Sequence, residues 1–180
     1  KEGEIMFHAV MGSGTFLAPV TAYPTTTLTM ALWNSSVDRV LKPKSVHSFL
    51  ASGTPGAGGA LLACVTSVQQ VRPTLSTGDN GGYAGVVVSN LGSRGSPGDT
   101  QAAFLNAITL TGKQPAWIVV GAESEAGTGA TIASHALVAD VSGLDLEVLP
   151  GHMLGITYLS GAGTTPLYGF GVTWDEKALN

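Results

Sequence analysis

The sequence predicts an all-β chain, an antiparallel sandwich or barrel of about eight to ten short strands. Three observations carry that prediction. Helical periodicity is scarce, short apolar or alternating runs recur along the whole chain, and clusters of Gly, Pro, Ser, Asn and Asp part them at intervals of roughly 8 to 15 residues. With 25 Gly and 9 Pro in 180 residues, the chain is supplied with turn formers rather than helix formers.

In chain order, the first 25 residues contain Pro19 and Pro24, which interrupt any long hydrogen-bonded ladder. Residues 1–25 are therefore expected to form an extended N-terminal arm outside the sandwich, and residues 26–180 a single β-domain. Residues 27–33 alternate Thr with larger apolar side chains and stop at Asn34-Ser35-Ser36, the pattern of a half-buried strand and its turn. Strands are expected at 46–51 and within the apolar stretch 60–71, parted by the Gly-rich turn 52–59. A turn at 76–82, a strand at 83–89 and a loop at 90–100 follow. Residues 101–107 are the one helix candidate. Residues 116–120 read as a strand buried on both faces, 123–129 as a loop, and 131–141 and 144–149 as further strands. Pro150-Gly151 marks a turn before a strand reaching Tyr158, and residues 167–174 close the chain with large side chains set around glycines. No linker or change of composition divides the domain.

Composition bounds the function. Hydrophobic residues make up 44% and charged residues 11%, and the net charge is -4. Typical soluble domains carry about 25% charged residues, so either the surface is Ser, Thr, Gly and Ala or neighbouring subunits cover much of it. Disorder and collagen are excluded by the hydrophobic content and the aperiodic glycines. No apolar run approaches the roughly 18 to 20 residues that span a bilayer as a helix, and residues 1–5 lack the order of a secretory signal. The eight basic residues are scattered, with Arg39, Lys42 and Lys44 the only local group, which disfavours a nucleic-acid partner. Single Cys64, in an apolar run, reads as a small core residue.

Residue patterns that would carry catalysis are absent. His8, His47, His135 and His152 are isolated in sequence, and none has the paired spacing of a cupin-type metal site. Gly12-Ser13-Gly14 and Gly92-Ser93-Arg94-Gly95 do not fit a nucleophile elbow, and the Gly-rich stretch 53–59 lacks the Gly-Lys-Ser/Thr of a phosphate loop. Glu123/Glu125, Asp145/Glu147 and Asp175/Glu176 read as solvated loop and strand-end charges, with a calcium site at Asp145, Glu147 or Asp79 as the alternative. Asn34-Ser35-Ser36 fits a glycosylation acceptor. The aromatics Trp33, Trp117, Trp174, Tyr158, Tyr168 and Phe170 suit core or interface packing, with a sugar-binding platform as the alternative. No catalytic residue, metal or cofactor is therefore assigned.

Several phrases carry a resemblance. Ala31-Leu32-Trp33-Asn34-Ser35-Ser36, then Ser52-Gly53-Thr54 and a Gly/Ala-rich strand, resemble the front half of jelly-roll structural proteins of tailed bacteriophage virions. Residues 149–156, a Gly-rich loop and the closing Val172-Thr173-Trp174-Asp175-Glu176 look like the end of the same domains, with His152 where an acidic or polar residue is expected. The resemblance covers roughly residues 28–176. It implies a jelly-roll-like sandwich and a non-enzymatic protein of the virion, a head decoration (cement) protein on the capsid surface, assembled as a homotrimer on the major capsid protein. A tail or fibre module that binds a receptor or carbohydrate is the alternative, and a cupin-like metal enzyme a more distant one. Under the leading reading no nucleic acid, membrane or small-molecule substrate is a partner. The expected interface residues are Ile5, Phe7, Val10, Phe16, Leu17 and Tyr23 of the arm, with Trp33, Trp117, Tyr168, Phe170 and Trp174 of the strands.

Overall fold

The structure is a computed structural model that describes residues 5–11, 16–56, 58–71, 86–90, 100, 102–123, 136–161 and 163–179. The expected turn at 76–82, the candidate turns at 12–14 and 92–95, the interior of the expected loops at 90–100 and 123–129, and the first parts of the expected strands at 83–89 and 131–141 lie outside the described residues, as do Asp79, Glu125 and His135.

Ten strands form the described chain: β1 (Ile5–Met11), β2 (Thr27–Asn34), β3 (Arg39–Thr54), β4 (Gly59–Val65), β5 (Val86–Asn90), β6 (Ala102–Thr109), β7 (Ile118–Glu123), β8 (Ala136–Asp140), β9 (Met153–Ser160) and β10 (Thr164–Ala178). Sheet A has the order β5-β1-β10-β3-β8 and sheet B the order β6-β2-β9-β4-β7, with every neighbouring pair antiparallel. The two sheets pack face to face as a β-sandwich, the predicted fold class. Consecutive strands change sheet at every step except β6 to β7.

Alternation explains the core. Along β1, Phe7, Ala9 and Met11 point inward; along β2, Met30 and Leu32 do so; along β10, Phe170, Val172 and Trp174 meet Val46 of β3 and Leu154, Ile156 and Tyr158 of β9. Phe7 stacks on Trp174 with ring centroids 5.7 Å apart, and Tyr158 stacks on Tyr168 at 4.3 Å across the two sheets. The register places Phe7 opposite Trp174 on adjacent strands, so that stack is a cross-strand pair as well as a core contact.

Four expectations are corrected. Residues 5–11 do not lie outside the sandwich: β1 is an interior strand of sheet A, paired on both sides with β10 and β5, because its alternating apolar side chains complete the core. Residues 16–26 form no strand, and even they are tied down, since Leu17 pairs with Tyr168 of β10 and Val20 with Leu159 of β9. The helix candidate is β6, where pairing with β2 from Thr27 to Asn34 overrides the helix propensity of Ala102 and Ala103. Residues 144–149 are not a strand but a 3-10 turn at Ser142–Leu144 followed by one bridge, Val148 to Leu41. Strand β7 is not buried on both faces; it is the edge of sheet B, and Ile118 and Val119 are exposed. Pro150-Gly151 does make the expected turn, Gly151 taking a φ of 75° that a side chain rarely tolerates.

Since β1 is structural, truncation through Met11 is expected to abolish cooperative folding, and Phe7→Ala to lower stability by about 3–5 kcal/mol in urea unfolding.

Candidate interaction surface

The two outer faces of the sandwich differ. On sheet B the outward residues Ala31 and Trp33 of β2, Cys64 of β4, Ala103 and Leu105 of β6 and Met153 of β9 are all buried, forming with Leu28 a second, smaller core. Leu110 and Trp117 pack against it. They bracket the connection between β6 and β7, which lie at opposite edges of the sheet. Crossing four inter-strand spacings requires about 19 Å, within the reach of eight residues at about 3.3 Å each. The connection thus forms a strap over the face. It is anchored by the Leu110 N–H donating to the Thr26 carbonyl (2.8 Å), Trp117 Nε1 donating to the Pro24 carbonyl (2.8 Å) and the Thr111 N–H donating to Gln70 Oε1 (2.8 Å). Cys64 is completely buried here, and desolvation pushes its thiol up to about 12.

Sheet A has no such cover among the described residues. Its outward positions are Met6, His8 and Val10 on β1, Ser45, His47 and Phe49 on β3, Gly169, Gly171 and Thr173 on β10, and Ala136, Val138 and Asp140 on β8. Among the described residues the charged side chains in those rows are Asp140 and, in the row of Met6 at one end, Asp175 and Lys42, and Val138 is 74% exposed. Phe49 lies across Gly169, where a Cβ would run into its ring, and Phe16 meets Phe49 edge-on at 5.8 Å. His47 lies across Gly171 in the same way and stacks on His8 at 5.4 Å. Burial lowers both imidazoles from their ordinary value, and His8 lowers His47 further.

Among the described residues, the ion pairs gather at one end of the sandwich. The local basic group of the sequence meets two of its carboxylate pairs: Arg39 bridges Glu176 at 3.0 Å, Lys44 bridges Asp175 at 2.9 Å, and Lys42 contacts Asp145 at 3.3 Å and also Glu147. Glu176 further accepts from Thr100 Oγ1 and from Trp174 Nε1 (3.3 Å). The Glu176 and Asp175 side chains are each only 2% exposed, so losing a partner there would strand a buried charge, at a cost of about 3–5 kcal/mol. These carboxylates serve the fold, and Asp145 and Glu147 converge on an ammonium rather than on each other across a cleft. Glu123, the remaining described carboxylate of the pairs, accepts from the Tyr158 hydroxyl at 2.8 Å.

Of the eleven expected interface residues, Phe7, Trp33, Tyr168, Phe170 and Trp174 are buried within the chain's own two cores and cannot face a neighbour. The same burial, with that of Tyr158, removes the aromatic sugar platform. Val10 and Phe16 do sit on the open face; the side chain of Ile5 lies outside the described residues. Leu17 and the half-exposed Tyr23 line a groove of about 430 Å³ with Thr27, Leu28 and Ala107, and Trp117 belongs to the strap. Asn34 is no glycan acceptor: it is fully buried, its Nδ2 donates to the carbonyls of Arg39 and Val148 (both 2.8 Å), and its Oδ1 accepts from the Ser36 N–H and hydroxyl. Phe49, His47 and Val138 were missed, because nothing in a strand's alternation tells which of its faces stays uncovered. Among the described residues no three His, Cys, Asp or Glu side chains converge. No family model and no curated protein sequence matches the chain.

The strap makes a prediction about Cys64. At pH 8 the native thiol is expected to resist a chromogenic disulfide reagent that titrates it fully in denaturant, and Trp117→Ala is expected to speed the native reaction at least tenfold.

Proposed function

We propose that the chain is a structural protein of a tailed-phage virion, a capsid decoration protein that works as a homotrimer bound to the major capsid protein on the capsid surface. The observation that carries this reading is the asymmetry of the sandwich: one outer face is sealed by the chain's own strap, and the other, among the described residues, has no such cover and is poor in charge away from the ion-paired end. Such a face suits burial against another protein better than prolonged contact with water. The strand order also supports a jelly roll. Taking β1–β4 with β7–β10, the sheets read β1-β10-β3-β8 and β2-β9-β4-β7, with the chain passing from one sheet to the other at each step within each half, while β5 and β6 extend opposite sheets at one side.

The mechanism is mass action. A subunit that binds only the assembled shell stabilises it by RT ln(1 + [L]/Kd), about 2.7 kcal/mol per site at a hundredfold excess over Kd. Chemistry is not required of it. The N-terminal segment enters this reading differently from the sequence expectation: β1 builds the open face, through His8 and Val10, instead of reaching away from the domain.

The purified protein is expected to sediment as an oligomer at micromolar concentration and to be present in hundreds of copies on intact particles. Val138→Lys, which places a charge on the open face, is expected to shift that oligomer to monomer and to lower particle occupancy while leaving the circular dichroism of the folded chain unchanged. A stable wild-type monomer would overturn the trimer, and a handful of copies per particle would move the protein to a tail or fibre.

A further inference from the structure

His8 and His47 meet although a whole strand separates them. Strands β1 and β3 flank β10, and His8 lies opposite Thr173 while His47 lies opposite Gly171, so the two positions are two inter-strand spacings (about 9.6 Å) and one outward row (about 6.6 Å) apart. At that separation imidazoles projecting straight from the sheet would not touch. Gly171 closes the gap: a Cβ there would collide with Nε2 and Cε1 of His47, so the ring reaches toward His8 across a strand that has no side chain at this position. The ring centroids lie 5.4 Å apart with planes 27° from parallel.

No described side chain partners the ring nitrogens in this arrangement. Among the described residues neither ring makes a hydrogen bond, although both are partly buried, and each neutral imidazole offers one donor and one acceptor. The described outward hydroxyls in the row of His8 bond each other, Ser45 Oγ donating to Thr173 Oγ1 at 3.0 Å. Val10 and Val138, in the same row as His47 and Gly171, bring no charge.

We propose that His8 and His47 form a two-imidazole site for a divalent transition-metal ion, Zn²⁺, Cu²⁺ or Ni²⁺. Two imidazole nitrogens bound to one ion at about 2.0–2.1 Å and a near-tetrahedral angle place their ring centroids about 5 Å apart. The observed spacing meets that requirement, and turning each ring about its Cβ–Cγ bond converges the nitrogens with little movement of the centroids. Imidazole selects these ions, whereas Ca²⁺ and Mg²⁺ need oxygen ligands that His8 and His47 do not offer. Two ligands leave coordination positions for water or for a donor on a neighbouring molecule. The site lies on the open face of sheet A, yet its two ligands belong to one chain, so binding does not depend on the assembly proposed above.

The test is titration of metal-free protein with Cu²⁺ and, separately, Zn²⁺ at pH 8, followed by calorimetry and, for Cu²⁺, by electron paramagnetic resonance. Wild-type protein is expected to bind one ion per chain, with hyperfine structure from two nitrogens. His8→Gln and His47→Gln are each expected to weaken binding at least tenfold, with unchanged circular dichroism. Gly171→Ala keeps every histidine but displaces the His47 ring, and a folded variant is expected to weaken binding as well. His135 and His152 remain in all variants and report the background. Equal affinity in wild type and in the two glutamine variants, or no binding by wild type above that background, would overturn the site.

Discussion

The antiparallel pairing of β3 with β10 is the constraint on which the rest depends. These are the two longest strands, and their ladder runs from Thr54 opposite Thr164 to Arg39 opposite Ala178. Its inward side supplies Val46, Phe170, Val172 and Trp174 to the main core. Its outward side sets His47 and Phe49 over two glycines. At one end it brings Arg39 and Lys44 to Glu176 and Asp175. A slip of one residue would exchange the two faces, putting glycines into the core and Trp174 into water. The register shift between Thr173 and Trp174, opposite Pro43, is tolerated because it falls beyond the end of β8, where β3 has only one strand neighbour.

From that ladder the polarity of the molecule follows. Sheet B spends a strap to cover its outer face, so its apolar outward residues become a second core and Cys64 is sealed from solvent. Among the described residues sheet A carries mostly small, neutral or aromatic side chains outward, its charged ones being Asp140 and the paired Asp175 and Lys42 toward one end, and it has no strap. The low charge of the chain acquires a structural meaning here. The local basic residues are paired with acids at one end and are not distributed as a solvating coat. Isolated exposed pairs contribute at most about 1 kcal/mol each, but the carboxylates of Asp175 and Glu176 are buried and hold their partners in place.

Much of the fold was legible where side-chain alternation and turn chemistry agreed. The Thr/apolar alternation of residues 27–33 became β2, the Pro150-Gly151 turn appeared as expected, and the Gly-rich closing run fell within β10. The reading failed where two structures share one local pattern. Residues 102–107 suit a helix by propensity, yet a partner strand was available and β6 formed. Residues 118–120 have the composition of a buried strand, yet they lie at a sheet edge. The proline-punctuated beginning resembles an arm, but Pro19 and Pro24 both follow β1 and do not interrupt it.

The candidate surface was less legible than the fold. Val10 and Phe16, expected at an interface, lie on the uncovered face of sheet A, whereas five aromatics assigned to an interface are core, since a large apolar side chain has the same identity whether it meets its own chain or another. By itself the sequence determined the all-β class, several strand positions and the shortage of charge, because these follow from local periodicity and composition. Only the tertiary structure decided which face is covered, which carboxylate meets which base, and that His8 and His47 share one place over Gly171. Those outcomes depend on strand order and register, which arise from pairings between residues far apart in the chain and leave no local trace in it.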